Sequence, residues 1–157
     1  MINILIKIAG IILIGLLLVG CPMVDLNELN FTRSKPDINN IVGTWEPTPE
    51  TLKYIRQQGH YPEEEHKIIL NNDGKLLMHN MPDWWKNGFG TSNKKFESNE
   101  GKWRLTKGQN IWEIWTLELE FKSGTTSINM YKQTPPYLIF IRVGDPNNGN
   151  GMFFQRI

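Results

Sequence analysis

Cys21 is the lone cysteine of the chain and stands where an uncharged apolar run, residues 8–20, comes to an end. A thiol acts as a nucleophile through its thiolate, and without a second cysteine it has no disulfide partner. Imidazole and carboxylate groups gather at His60, Glu63, Glu64, Glu65 and His66. These are metal-ligand types, but the spacing is not H-E-x-x-H, and Pro62 breaks the helix that would align them. The acidic run reads as a solvated loop, and no metal is expected. Ser92-x-x-Lys95 has the spacing of a serine nucleophile with a lysine partner, and Lys122-Ser123-Gly124 adds a second fragment of that pattern. That chemistry requires the serine to open a buried helix, whereas residues 91–95 read as a polar loop. With no G-x-S-x-G turn and no phosphate-binding glycine loop, the chain is expected to be no enzyme and to need no cofactor.

The richest stretch for binding is MPDWWKNGFG, residues 81–90. Asp83 can cap a single helical turn that Gly88 ends. Trp84 and Trp85 are adjacent and so point in different directions. One is expected to plug an end of the fold; the other is a candidate lid over a cavity or a contact for a partner. Phe89 and Phe96 share the same long connection, and long connections that carry aromatics often serve as lids. The competing reading makes both tryptophans structural plugs, since Trp is mostly buried in ordinary domains.

The N-terminus gives an address. Residues 1–7 carry Lys7 alone, and the thirteen residues after it are apolar and uncharged. That is the charged region and apolar core of an export signal, shorter than the roughly 20 residues a spanning helix needs. Ile2, Ile4, Leu5 and Ile6 lengthen the run, so an uncleaved anchor is the alternative. Leu18-Val19-Gly20-Cys21 resembles the lipobox of bacterial lipoproteins. The resemblance implies that Cys21 receives a diacylglyceryl group and becomes the mature N-terminus, anchored in the bacterial cell envelope. Two or more acyl chains hold a protein stably at a membrane. Pro22 stands where, in such proteins, an aspartate would signal retention at the inner membrane. The outer membrane, facing the periplasm, is therefore expected in a cell that has one. Residues 1–20 are thus expected to be signal peptide, 21–40 a lipidated N-terminus and flexible tether rich in Asn, Asp and Pro, and 41–157 the folded domain. Without Lys7 the chain carries 16 basic and 16 acidic residues, a balance with no electrostatic case for nucleic acid.

The elements that must position any site read mostly as strands. Thr48 as N-cap, Pro49 at the first helical position, Leu52 and Ile55 on one face and Gly59 as stop predict one short helix. Strands are predicted at residues 41–46, 66–71, 75–80, 101–106, 110–121, 125–132, 137–143 and 152–157, with Asn72-Asp73-Gly74 as a hairpin turn. In the long fifth segment Trp115, Leu117, Leu119 and Phe121 alternate with polar residues, placing one face inside. Glu113 breaks that phase, and a bulge near Ile114 is expected. Ile68, Leu70, Leu76, Met78, Ile128 and Met130 complete the expected interior. Eight sequential strands joined by turns would expose edges unless the sheet closes. The expectation is an all-β, eight-stranded antiparallel barrel, with a two-sheet sandwich as the alternative.

Gly43-Thr44-Trp45 on the first strand and Arg156 on the last resemble the lipocalin signature, in which G-x-W opens the barrel and a late arginine stacks over the tryptophan. Asp73-Gly74, Asn80 through Trp85, Gly101-Lys102-Trp103 and Gly144-Asp145-Pro146 are similar to an uncharacterised group of lipocalin-like bacterial proteins. The resemblance implies a barrel closed by Gly43, Trp45 and Arg156; it bears on fold and not on chemistry. A Trp45–Arg156 cation–π pair would contribute about 0.5–2 kcal/mol. Together these readings predict a lipid-anchored, non-catalytic module that binds a small apolar ligand in the barrel or at its mouth. The alternative is a filled barrel that meets another envelope protein through its surface.

Overall fold

Each strand hydrogen-bonds to the next in sequence order and the last returns to the first, so the sheet closes into an eight-stranded antiparallel barrel. The computed structural model describes residues 30–59, 61, 65–83, 95–108, 113–143 and 151–157. The strands are β1 (Gly43–Pro47), β2 (Lys67–Leu70), β3 (Lys75–Pro82), β4 (Phe96–Lys107), β5 (Trp115–Phe121), β6 (Gly124–Tyr131), β7 (Leu138–Arg142) and β8 (Gly151–Arg156). The helix α1 (Pro49–Gln57) follows β1, and a 3-10 turn, Ile38–Asn40, precedes it. Signal peptide, Cys21, His60, Glu63, Glu64, Trp84, Trp85, Phe89, Ser92 and Gly144-Asp145-Pro146 lie outside the described residues.

The two-residue period decides which side chains face inward. Ile68, Leu70, Leu76, Met78, Leu117, Leu119, Ile128 and Met130 are buried in one apolar cluster with Trp45, Ile139, Met152 and Phe154. Trp115 and Phe121 share that phase but sit at the two ends of β5, where they are only half-buried. The Asn71–Gly74 turn closes with a hydrogen bond from the Gly74 N–H to the Asn71 carbonyl at 3.0 Å. Trp103 holds that turn from outside the hairpin: its backbone N–H donates to the Gly74 carbonyl and its indole N–H to the Asn71 carbonyl at 2.9 Å.

Two irregularities differ from the expected pattern. The fifth strand begins at Trp115 rather than Asn110, because Glu113 adopts φ 48° and turns its carboxylate outward to Lys107, 2.6 Å away. The phase conflict is thus relieved by a left-handed residue ahead of the strand, not by a bulge within it. The second irregularity is in β3, where the register with β4 shifts between Met78 and Met81 and Asn80 takes φ 53°. Asparagine tolerates that conformation better than most residues.

Residues 30–40, expected to belong to the tether, pack on the barrel. The Thr32 N–H donates to the Met130 carbonyl and the Trp115 N–H to the Thr32 carbonyl, so this strap inserts between the start of β5 and the end of β6. Its side chains are held as firmly. Thr32 is fully buried, and Phe31 lies 5.7 Å from the Tyr131 ring and 5.8 Å from the Phe140 ring. Phe153 extends this outer aromatic cluster. Gly151 makes room for it, since a Cβ there would collide with the Phe140 ring. Replacing Phe31 with Ala is expected to cost about 3–5 kcal/mol, read as a lower midpoint in urea denaturation. An unchanged midpoint would mean the strap contributes nothing to the fold.

Candidate functional site

The two ends of the barrel are built from different chemistry. At one end, Gly43, Trp45 and Arg156 come together. Trp45 and Arg156 are register partners across β1 and β8. Trp45 is fully buried, and its indole N–H donates to the Ile41 carbonyl at 2.9 Å. Arg156 crosses over Gly43, where a Cβ would lie 2.8 Å from its Nε, and donates from Nη1 to the Asn39 carbonyl at 2.8 Å. Gly43 also has φ +139°, a conformation that strains any side chain. The expected cation–π stack of Arg156 on Trp45 gives way to these contacts; among the described residues it is Lys35 that lies over a tryptophan, Trp115, at 5.8 Å. Backbone, indole and guanidinium thus meet at this end.

The other end is covered by α1, and it is there that the connection from β3 to β4 begins and ends. Thr48 caps the helix, its hydroxyl accepting from the Thr51 N–H, and Ile55 is fully buried in the barrel core. The Thr51 hydroxyl locks α1 to β8, donating to the Phe153 carbonyl at 3.0 Å and accepting from its N–H at 2.8 Å. At the same end, the Asp83 N–H donates to the Lys95 carbonyl at 3.0 Å. That bond ties together the two ends of the connection whose sequence carries Trp84, Trp85 and Phe89.

His66 lies at the foot of this arrangement. It shares the inward phase of Ile68 and Leu70, and only 2% of its surface is exposed. Its Nδ1 makes a close hydrogen bond to the carbonyl of Asn80, the residue whose left-handed backbone interrupts β3. A carbonyl can only accept, so Nδ1 carries the proton. Nε2 of the neutral ring is then an acceptor, and it is buried with no hydrogen-bond partner among the described residues. The ring packs on Phe96 with centroids 5.0 Å apart. Burial holds the imidazole below its usual pKa, opposed by the bond to Asn80 and reinforced by the charge of nearby His79.

The sequence reading places His66 among the metal-ligand types and at the start of the strand predicted over residues 66–71, but gives it no role at a ligand site. Its parity with Ile68 and Leu70 is the signal that could have found it. Glu65, in contrast, is exposed and pairs with Lys67 at 2.5 Å, which lowers its carboxyl below the usual range through the hydrogen bond first and charge second. Among the described residues no group of three His, Cys, Asp or Glu side chains is placed to hold a metal ion. Among them, too, no helix is long and apolar enough to cross a membrane, which says nothing of spanning strands.

A second feature lies outside the barrel. Pro36 and Ile38 of the strap face Asn72, Gly74, Trp103 and Leu105 across an open groove of about 660 Å³. The sequence offers no sign of it, since one wall reads as tether. Comparison with protein-family models, with curated proteins and with solved structures gives no match for this chain.

The buried imidazole has a consequence for stability. The unfolded chain binds a proton at the ordinary histidine pKa of about 6.5, whereas the folded chain resists it. Stability from this group is therefore complete above that value and is lost as pH falls from there through the lowered folded pKa. Thermal unfolding from pH 8 to pH 5 is expected to show a falling Tm that flattens in His66→Phe. An equal slope in both proteins would place the proton uptake elsewhere.

Proposed function

We propose that this chain is a lipid-anchored, non-catalytic binding protein of the bacterial cell envelope that takes a small apolar ligand at the α1 end of its barrel. The observation that carries the reading is the contrast between the ends. One is sealed by Trp45, Arg156 and the strap, while the other keeps a buried, unpartnered imidazole nitrogen near the roots of a connection rich in aromatics. Anchoring is supported by Leu18-Val19-Gly20-Cys21 at the end of the apolar run. The described chain enters at the sealed end, where the Asn30 carbonyl accepts from the Lys132 N–H. Residues 21–29, as a tether, reach about 30 Å at full extension, so an anchored barrel presents its α1 end away from the lipid.

A second reading is a filled barrel acting through its outer surface on another envelope protein. The contiguous interior cluster favours it, since Trp45, Met130, Phe154 and Ile55 are all fully buried in one core. Eight strands enclose just enough space for side chains or for one small ligand. The two readings part in native mass spectrometry of the chain from Pro22 onward, which retains every described contact of strap and barrel. The binding reading expects a co-purifying apolar molecule and thermal stabilisation by members of a hydrophobe panel. A protein-only mass with no shift across the panel supports the filled barrel. For the anchor, Cys21→Ser in the full-length chain is expected to abolish acyl labelling and detergent-phase partitioning; unchanged partitioning would restore an uncleaved helix.

A further inference from the structure

We infer that His66 is the polar contact of the ligand site and selects a neutral apolar molecule bearing a hydroxyl, whose O–H donates to the imidazole Nε2. This rests on the binding reading above and adds the chemistry of the ligand to it. Three observations converge on the atom. His66, one residue ahead of β2, shares the parity of Ile68 and Leu70, which are buried in the barrel core, and is itself buried. The Asn80 carbonyl, brought round by the break in β3, occupies Nδ1 and leaves the Nε2 lone pair as the ring's remaining hydrogen-bonding capacity. Phe96 fixes the ring plane from one side.

An orphan acceptor in an apolar surrounding discriminates by what it leaves unpaired. A hydroxyl satisfies it, a hydrocarbon of the same shape leaves it orphaned, and a carboxylate brings a second acceptor with no proton to give. Sites built to hydrogen-bond a hydroxyl reject the analogue that lacks it far more strongly than apolar pockets reject an extra methylene. The side chain also suits this role, because a neutral imidazole accepts without importing a charge into the barrel, as a carboxylate would.

Matched probes test this at pH 8, with the ring neutral: p-cresol against p-xylene and 4-methylbenzoate, and 1-decanol against decanoate. Binding to the chain from Pro22 onward is followed by thermal shift and by the ¹⁵N resonances of the His66 ring. The hydroxyl probes are expected to bind about tenfold or more tightly than their partners and to move the Nε2 resonance while leaving Nδ1 nearly unchanged. In His66→Phe, which keeps a ring against Phe96, the preference is expected to vanish. Equal binding of hydroxyl and hydrocarbon probes, or an undiminished preference in His66→Phe, overturns the role of His66 and leaves the binding reading standing. Failure of every probe to bind overturns both. If His66→Phe does not fold, the probe pairs and the Nε2 resonance of the unmodified chain decide alone.

Discussion

Closure of β1 onto β8 is the constraint on which the molecule depends. The ladder is short: Trp45, Glu46 and Pro47 meet Arg156, Gln155 and Phe154, and the Ile157 N–H adds a bond to the Thr44 carbonyl. Without it the sheet would present two unpaired edges, an open template for another chain. The residues around this seam serve it from both sides. Gly43 yields the space that Arg156 crosses, Trp45 fills the interior behind it, and Thr51 of α1 hooks the helix onto Phe153 of β8. The helix at one end and the guanidinium at the other are thus fastened to the same pair of strands.

The strap solves a second edge problem. Regular β5–β6 pairing stops at Thr116 and Asn129, and beyond that point Thr32 takes up the Met130 carbonyl on one side and the Trp115 N–H on the other. Phe31 covers rings that the outward phase of β6, β7 and β8 would leave in water. An outward aromatic surface of this kind needs a cover in a monomer, and the chain supplies it from its own N-terminal side. The same segment then turns through Ile38–Asn40 to deliver Ile41 and Trp45 into the core. Cover, seal and first strand are consecutive pieces of one stretch.

Most of the barrel is legible in the sequence because β-strand burial leaves a two-residue period there. Leu117 and Leu119 alternating with Thr116 and Glu118, or Asp73-Gly74 between two apolar runs, are local signals of local structure. What the sequence hides shares the opposite property. Residues 30–40 have no period because their hydrogen bonds go to partners about a hundred positions away, such as Lys132 and Gln133. Asn80 carries no local sign that β3 will shift its register, since the shift is a property of its pairing with β4. The extension of β4 back to Phe96 is hidden for the same reason: Glu97, Ser98 and Glu100 read as loop, yet the strand they belong to pairs with β3. His66 stands in plain view at the start of the strand predicted over residues 66–71, but nothing local shows that its ring is buried against Phe96 and bonded to the Asn80 carbonyl.

The placement of His66 is better understood from the strand break than from the histidine. In an unbroken β3, the Asn80 carbonyl would be committed to the ladder with β4 or β2. The left-handed turn at Asn80 releases it, and the residue's own N–H is taken by the Ser98 hydroxyl at 2.9 Å. The freed carbonyl then fixes the tautomer of a ring that desolvation keeps neutral, so the single polar direction left is Nε2. An apolar barrel gains nothing for its stability from such an atom, because an unpaired buried acceptor costs about 1–3 kcal/mol. Leucine or methionine at this inward position would pack without that cost. An imidazole there, with its tautomer set by a backbone irregularity, is the arrangement that supports the proposed role of His66 as an acceptor for a donor from outside the chain.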